Sequence, residues 1–574
     1  MSKSRQKPTP SQSLFLEGDP GAWISVTVEA NRVVRRCGDV PLGGVFRTVK
    51  HFFAFFFQGT CKPAEKLGFT GCEDPLPYPR QMATTANHAD NRRESLENQV
   101  RRAILWRSGS QIFAQMVQWA ATFLVIRILD PRDYGLYAMT SVVLVFLNML
   151  NGYGLASGLI QRDDVTPHQT RQLFGMLIAL NGTLAVVQLI LAPVAAAYYR
   201  QPEVAQLLRV QALIYCVTPF AALPYALLSR QMEFRRQATA NVAASLAGAA
   251  TALAGALAGL GVWTLVWAPI ALFAVRAAML TWGARSLMWP SFDFRGAGHL
   301  ARYGGVMAAG QFFWFLQSQA DVFIGGRWFS AHQLGIYTTA LFLAQIFVSK
   351  FVPPLNEVAF SAYARIQHDD AAVSRAFVRS VRIIMLAAMP FYAGLAVTAY
   401  PLVLTVLDAK WVEVAPVVQI IALAMPFMTI QVLYSPACDA RGRPGIGARN
   451  GAFGALVLAT TFLVGVHWGP VGLAWSWVVA YPVYLAVSSW RSLPVIGVAP
   501  LALIRAVAPA VVAAAVMAGV VRLVEALLPP LAPPVQLAIL VGVGAATYGG
   551  WLALFARGTV RELIAILRKR PLPA

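Results

Sequence analysis

Charged residues are scarce in this chain of 574 residues: Asp, Glu, Lys and Arg make up 13% of it, whereas 57% is hydrophobic. A soluble protein of this length needs far more charge to cover its surface. Long apolar runs recur from about residue 107 to 556, and only short polar breaks separate them. Because one bilayer crossing takes roughly 20 residues, the runs predict a polytopic membrane protein.

Motifs of catalytic sites are missing too. The chain has no GxxxxGK(S/T) for ATP hydrolysis through a P-loop, and it has neither HExxH nor GxSxG. Its five Cys form no CxxC pair and have no His at metal-ligand spacing, which argues against a disulfide framework or a zinc site. No polar break is long enough for an extracytoplasmic catalytic domain. We therefore expect no enzyme activity, no cofactor and no metal.

The net charge of +21 is spread unevenly, because Arg residues lie mainly in alternate breaks between the apolar runs. This pattern is typical of cytoplasmic loops that face anionic headgroups, rather than of a protein that binds nucleic acid. We therefore expect a multi-pass membrane protein with both termini in the cytoplasm. The few cations of the predicted outer loops are Arg132, Arg200, Lys410 and Arg522.

The apolar runs predict an all-α fold of about 14 transmembrane helices. A shift of 200 residues aligns the first span with the seventh without a gap, and DYGLY at 133–137 then aligns with QLGIY at 333–337. Six spans, an even number, separate the two segments, and both therefore enter the membrane from the same side. The repeat predicts two parallel six-helix lobes plus two C-terminal helices. The predicted spans are 107–129, 136–158, 172–198, 205–228, 238–259, 262–282, 303–327, 333–355, 381–406, 414–437, 446–466, 470–489, 506–528 and 533–556.

The predicted organisation has six parts. Residues 1–95 are polar and rich in Pro and Gly, and Met82 precedes a polar stretch that leads into the first span. We expect a disordered N-terminal extension with Met82 as an alternative start; the other interpretation is a genuine cytoplasmic tail. The other parts are an N-terminal lobe at 96–282, a cytoplasmic linker at 283–302, a C-terminal lobe at 303–490, two further transmembrane helices at 491–556 and a basic cytoplasmic tail at 557–574.

Two stripes of polar residues lie on repeat-equivalent spans. The stripe on the first span comprises Gln111, Gln115, Gln118 and Thr122, and that on the seventh span comprises Gln311, Ser318 and Asp321. Their helical spacing puts each stripe on one face, and lipid would not tolerate it there. We therefore expect both stripes to line one cavity between the lobes. The alternative is that the side chains only hydrogen-bond neighbouring helices.

Charged residues within the spans are further candidates. Arg127 and Arg327 lie at equivalent outer ends, where contact with substrate competes with snorkelling to headgroups. Arg276 and Lys350 lie nearer the inner face, where snorkelling competes with phosphate binding. Asp321 is different, because a short carboxylate cannot snorkel far, and an ion-coupling or salt-bridge role is expected.

Several strings resemble one known family. They are ILDPRDYGLYAM at 128–139, DVFIGGRWFSAHQLGIYTTA at 321–340, PLNEVAFSAYARIQHDD at 354–370 and LDAKWVEVAPVVQIIALA at 407–424. The last ends a short outer loop with a charged residue plus Trp. With these strings the chain resembles, over about residues 95–490, the polysaccharide-biosynthesis branch (Wzx-type flippases) of the multidrug/oligosaccharidyl-lipid/polysaccharide exporter superfamily.

The resemblance implies a function. It implies two six-helix lobes around a central cavity in the bacterial inner (plasma) membrane. It also implies alternating access that carries an undecaprenyl-pyrophosphate-linked oligosaccharide to the outer leaflet for lipopolysaccharide, capsule or exopolysaccharide biosynthesis. The implied partners are the lipid-linked oligosaccharide and membrane lipids. A coupling ion (proton or sodium) and a polysaccharide polymerase with export machinery stay open. A cavity lined by Gln, Asn, Arg and aromatic groups would suit a negatively charged pyrophosphate and a sugar with many hydroxyls.

Two other transporter classes share features with this sequence. A drug or cation antiporter of the same fold is the alternative, and it would have acidic and apolar groups in its cavity with little Arg; Asp321 favours it. A major-facilitator sugar transporter would carry a GxxxD(R/K)xG(R/K)(R/K)-like loop between spans two and three. The loop QRDDVTPHQTR at 161–171 does not fit that pattern.

Overall fold

The computed structural model describes residues 106, 109–150, 166–231, 233–293 and 298–555, with side chains from Phe312 onward in the last range. Every regular element in these ranges is a helix. The first helices are α1 Gly109–Ile128, α2 Pro131–Met149, α3 Pro167–Tyr199, α4 Pro202–Gln211, α5 Leu213–Val217, α6 Pro219–Arg230, α7 Phe234–Leu257 and α8 Trp263–Ala284. We refer to them as the first lobe.

The second lobe comprises α9 Gly298–Trp328, α10 Ala331–Lys350, α11 Val352–Ile366, α12 Asp370–Val397, α13 Ala399–Val406, α14 Val414–Val432, α15 Tyr434–Ala440, α16 Pro444–Gly465 and α17 Gly469–Ile496. Two more helices follow, α18 Pro500–Leu527 and α19 Pro533–Phe555. Of these, α18 packs on α12, and α19 packs on α18 and α13, so that both attach to the second lobe. The predicted N-terminal extension with Met82 and the predicted basic tail lie outside the described residues.

Eleven helical stretches of the described ranges are long and apolar enough to cross a membrane. One of them, Pro444–Ile496, includes both the eleventh and the twelfth predicted spans. Neither α2 nor α9 is among the eleven, although they overlap the second and seventh predicted spans. The all-α, multi-pass architecture is thus confirmed, while the number of fourteen stays a prediction.

The repeat is visible in how α2 and α10 begin. The N–H of Asp130 donates to Oδ2 of Asp133 at 3.2 Å, and the N–H of Ser330 donates to Oε1 of Gln333 at 3.2 Å. Ser330 Oγ in turn accepts from the N–H of Gln333 at 3.2 Å. A polar residue at the N-cap with a partner three residues later satisfies N–H groups that a helix leaves free at its start. Both helices therefore have repeat-equivalent N-cap residues, Asp130 and Ser330.

Candidate functional site

The two lobes meet most closely where α2 crosses α10. A Cβ built on Gly135 would lie 1.7 Å from the carbonyl oxygen of Ala331, and one built on Gly335 would lie 1.7 Å from the carbonyl oxygen of Pro131. These two contacts are related by the same shift of 200 residues. Only glycine permits backbones to approach so closely. The crossing therefore joins the lobes through repeat-equivalent glycines.

Arg127 and Arg327 each reach from one lobe to the other. Nη1 of Arg327 donates to the carbonyl oxygen of Tyr198 at 2.7 Å, and its guanidinium lies 5.7 Å from the centre of the Tyr198 ring. Nη1 of Arg127 donates to the carbonyl oxygen of Thr405 at 3.5 Å. Tyr198 lies at the end of α3, and Thr405 lies at the end of α13. In each case the first helix of one lobe is thus bound to the end of the third predicted span of the other.

The short turn before α14 adds two further bonds between the lobes. Nε1 of Trp411, which is fully buried, donates to the carbonyl oxygen of Ile126 at 2.9 Å. Nζ of Lys410 donates to the carbonyl oxygen of Ile128 at 2.7 Å and to Oδ1 of Asp130 at 3.2 Å. These are the charged residue and the Trp of the resemblance string. They bind the first lobe where α1 ends.

We call the α2–α10 crossing, together with the bonds of Arg127, Arg327, Lys410 and Trp411, the closure. A further hydrogen bond between the lobes lies at this end, from Tyr198 Oη to the carbonyl oxygen of Phe323 at 3.3 Å. Most of the acceptors are backbone oxygens, so that binding does not depend on the acceptor's side chain. By the predicted topology this is the outer end of the protein.

Asp321 lies in a different place, fully buried inside the second lobe. Its Oδ2 accepts from the hydroxyl of Tyr337 at 2.8 Å, and its Oδ1 accepts from the N–H of Val322 at 2.8 Å. The hydroxyl of Tyr337 accepts in turn from Nε1 of Trp477 at 2.7 Å. A chain of hydrogen bonds thus joins α9, α10 and α17 around one carboxylate.

Aromatic rings continue this chain along α17. The rings of Trp477 and Tyr481 stack with centroids 5.4 Å apart, and the ring centroids of Tyr481 and Tyr484 are 5.9 Å apart. The hydroxyl of Tyr484 accepts from Nε2 of Gln431 on α14 at 2.8 Å. Hydrogen bonds and ring contacts therefore connect Asp321 to Gln431.

The sequence did not identify Tyr337 and Trp477 as partners of Asp321. For Tyr337 a signal existed, because Asp321 and Tyr337 lie at equal distances in sequence from Phe329, between α9 and α10. Antiparallel neighbours joined by a short turn hold such positions at the same depth. Trp477 lies 140 residues from Tyr337, and no local pattern connects the two.

The glutamine stripe of α1 is only partly covered. Gln111 and Gln118 are exposed and Gln115 is half-buried. On α9, Oγ of Ser318 donates to the carbonyl oxygen of Phe315 at 3.3 Å, while the side chain of Gln311 lies outside the described residues. The lining of a common cavity by the two stripes stays a prediction.

Arg276 and Lys350 lie apart from Asp321's hydrogen-bond chain. Nε and Nη2 of Arg276 donate to Oδ1 of Asn241 at 2.9 and 2.7 Å, which joins α8 to α7 inside the first lobe. Lys350 is exposed at the last residue of α10. The predicted site residues thus divide between the closure, the buried chain of the second lobe, and separate positions on α1, α8, α9 and α10.

Comparison with known proteins adds to this geometry. The polysaccharide biosynthesis protein family matches residues 124–416. The chain is 26% identical over 306 residues to the succinoglycan biosynthesis transport protein ExoT of Rhizobium meliloti (strain 1021), which covers 53% of this chain and 62% of ExoT. It is 22% identical over 345 residues to the lipopolysaccharide biosynthesis protein WzxC of Escherichia coli (strain K12), covering 59% and 69%. The match to ExoT therefore spans less than two thirds of that relative.

Two solved structures share the fold. The lipid II flippase MurJ in an inward closed conformation superposes with a TM-score of 0.66 at 12% identity, covering 80% of this chain and all of MurJ. An inward-facing multidrug resistance MATE family transporter of the MOP superfamily superposes with a TM-score of 0.53 at 13% identity, covering 68% and 98%. These identities are too low to carry more than the fold.

Proposed function

Because the chain belongs to the polysaccharide biosynthesis protein family, which matches just over half of it, we propose that it is a flippase for a lipid-linked oligosaccharide. The family match confirms the resemblance found in the sequence strings. The protein is a multi-pass membrane transporter, and its fold is that of a lipid flippase and of a drug exporter.

The observation that carries the proposal is the closure. Two lobes meet at one end through a glycine crossing and a small number of hydrogen bonds to backbone oxygens. Such contacts can break and re-form without unfolding either lobe, as rigid-body alternating access requires. A protein that used its membrane helices only as an anchor would have no need of repeat-equivalent contacts between its halves.

The orientation follows from charge. Arg residues concentrate on the face opposite the closure, and cationic loops stay in the cytoplasm. With both termini in the cytoplasm of a bacterial inner membrane, the closure lies at the outer face. The described arrangement then corresponds to a carrier closed to the outside, which would have to open there to release its cargo.

The cargo is inferred from the relatives. Those quoted above are named for succinoglycan and lipopolysaccharide biosynthesis, and the flippase of like fold is named for lipid II. We therefore infer an undecaprenyl-pyrophosphate-linked oligosaccharide, a precursor of lipopolysaccharide, capsule or exopolysaccharide. The exposed glutamines of α1 would serve the hydroxyls of its sugar, and a polymerase with export machinery would receive it on the outer side.

Asp321 is the candidate for coupling. It is a buried carboxylate in a membrane helix, held by one phenol and one backbone N–H. Ionisable groups at such depth commonly bind or exchange an ion. We infer that a proton or sodium ion exchanges at Asp321 during the cycle. The same feature supports the second candidate, a drug or cation antiporter of this fold.

Cross-linking the closure tests the proposal. Arg132 and His332 are exposed, repeat-equivalent residues at the starts of α2 and α10. A membrane-impermeant bis-maleimide added to spheroplasts of the Arg132→Cys/His332→Cys double variant should stop polysaccharide export. Lipid-linked oligosaccharide should then accumulate on the inner leaflet, because the lobes cannot part.

The single variants Arg132→Cys and His332→Cys, treated alike, are the controls and should export normally. Undiminished export after cross-linking would reject movement at the closure. Loss of resistance to cationic dyes, with polysaccharide export unchanged, would favour the antiporter instead.

A further inference from the structure

A groove runs along α8 on the side of the first lobe. It encloses a volume of about 710 Å³, and its walls are formed by Phe220 of α6, by Cys216 and Val217 of α5 and by small residues of α8 such as Ala274 and Ala278. The lining atoms are mostly apolar. The volume lies in the range of roughly 300–1,000 Å³ that is usual for small-molecule sites. We call this feature the α5–α8 groove.

The length of the groove matches one membrane leaflet. From Ala274 to Arg285 the chain advances eleven residues, and at 1.5 Å per residue this is about 16 Å. Half of a hydrocarbon core of about 30 Å is about 15 Å. The groove can therefore hold one hydrocarbon chain that lies along the membrane normal within a single leaflet.

The groove ends in a cation. Arg285 caps α8 in the left-handed conformation with φ 47° and is exposed, and none of the described residues forms an ion pair with it. Arg236 lies close by, since it donates to the carbonyl oxygen of Gly283. A free guanidinium at this level suits a phosphate, which it can bind through two parallel hydrogen bonds.

Aromatic residues mark the depth of this end. Trp282 and Trp289 are 82% and 84% exposed, and Leu287 between them is 80% exposed. Tryptophans gather where headgroups meet the hydrocarbon core. Arg285 thus lies at the headgroup level of the leaflet that the charge distribution assigns to the cytoplasmic side.

We propose that the α5–α8 groove binds one anionic phospholipid of the inner leaflet, with an acyl chain along α8 and the phosphate on Arg285. The occupant is a resident lipid rather than the transported one, because every lining residue lies between Cys216 and Leu287, on helices of the first lobe or directly after α8. A cargo that crosses the membrane must pass between the lobes. The proposal goes beyond the flippase function and does not rest on it.

Native mass spectrometry of the purified full chain tests the proposal, with phosphatidylglycerol and phosphatidylcholine of identical acyl chains as probes. The wild-type protein should retain one phosphatidylglycerol and prefer it by about fivefold, the effect of one basic residue at a membrane surface. Arg285→Asn should remove the preference, since Asn keeps the left-handed backbone but not the charge. Ala278→Trp should fill the groove and reduce retention of both lipids.

Two matched controls accompany these variants. Arg200 is also an exposed arginine that caps a helix in the left-handed conformation, with φ 57°, but it lies at the end of α3 on the opposite face. Arg200→Asn should leave the preference intact, and Ala508→Trp, at an exposed position of α18, should leave retention intact. The proposal is wrong if Arg285→Asn keeps the wild-type preference or if Ala278→Trp keeps wild-type retention. It is also wrong if undecaprenyl phosphate displaces phosphatidylglycerol from the groove, since the groove would then belong to the cargo.

Discussion

The two lobes are alike at the glycine crossing and at their two arginines, and unlike inside. At the closure, Gly135 answers Gly335 and Arg127 answers Arg327, each pair related by 200 residues. In the interior the second lobe holds Asp321 in a chain of hydrogen bonds, whereas the first lobe has Ala121 at the equivalent position. The two copies of the repeat thus share these contacts between the lobes, whereas only the second copy has a carboxylate in its core.

This difference separates two kinds of role. Contacts between equivalent parts must match on both sides, because each lobe is the other's partner and a change on one side affects both. A carboxylate inside one lobe has no counterpart in the other lobe that it must match. Because its burial costs free energy, we expect it only where it serves a function. We therefore propose that movement occurs at the closure and that coupling involves the second lobe alone.

Replacing the buried carboxylate of Asp321 should have the largest effect. Asp321→Asn should lower export by about tenfold or more, a normal size for a lost coupling between sites. The Asn side chain fills nearly the same volume, so the protein should still accumulate in the membrane. Export is followed through lipid-linked oligosaccharide on the inner leaflet, and membrane abundance is measured in parallel.

Tyr337→Phe is the matched control for that variant. It removes the hydrogen bond to Asp321 and the one from Trp477 and leaves the carboxylate in place, which should cost about 1–3 kcal/mol of stability for each buried group that loses its partner. If Asp321 acts only as a hydrogen-bonding group, the two variants should impair export equally. Export that depends on Asp321 far more than on Tyr337 supports coupling, and wild-type export from Asp321→Asn would reduce the residue to a structural role.

The glycine crossing should give intermediate effects of equal size. Gly135→Ala and Gly335→Ala each place a Cβ against a backbone oxygen, and overpacking of this kind costs about 1–3 kcal/mol. The closed arrangement should become less populated in both variants. Spin labels at Arg132→Cys and His332→Cys would report a longer distance between the starts of α2 and α10.

Glycines away from the crossing serve as controls. Gly109 and Gly182 have open space where a Cβ would be, so Gly182→Ala should leave the spin-label distance unchanged. If Gly135→Ala and Gly335→Ala differed strongly, the lobes would not be equivalent at the closure. The assignment of movement to a symmetric contact would then be lost.

The two arginines should give the smallest effects, and unequal ones. Arg327→Gln removes a bond of 2.7 Å and a ring contact, and should weaken the closure by about 1 kcal/mol. Arg127 is exposed and its bond is 3.5 Å long, so Arg127→Gln should cost roughly a few tenths of a kcal/mol. The same spin-label pair measures both. An effect of Arg127→Gln as large as that of Arg327→Gln would show that bond length does not govern the closure.

Sequence reasoning went furthest for the features that repeat. The shift of 200 residues pairs Gly135 with Gly335 and Arg127 with Arg327 from the sequence alone. The string LDAKWVEVAPVVQIIALA likewise contains Lys410 and Trp411. It placed Arg127 and Arg327 at the outer ends of their helices but did not give their acceptors. Those acceptors lie 278 and 129 residues away, where no local pattern reaches.

The interior was harder to predict for the same reason. Asp321 was recognisable as a lone deep carboxylate, yet its expected position in a cavity between the lobes gave no hint of Tyr337 and Trp477. A membrane helix of mixed apolar residues has little amphipathic signal, so its rotation about its own axis is not readable from the sequence. That rotation decides whether a polar side chain faces a cavity or a neighbouring helix.

The sequence by itself determined the membrane architecture, the parallel repeat and the family. Hydropathy can be summed over each segment, and the repeat and the family strings can be matched residue by residue, without knowledge of which helices are in contact. Only the tertiary structure decided that α2 and α10 cross at their glycines, that two arginines bind carbonyl oxygens of the opposite lobe, and that Asp321 is enclosed by α10 and α17. Each of these contacts joins helices whose relative tilt and rotation result from packing of the whole bundle. No single segment contains that information.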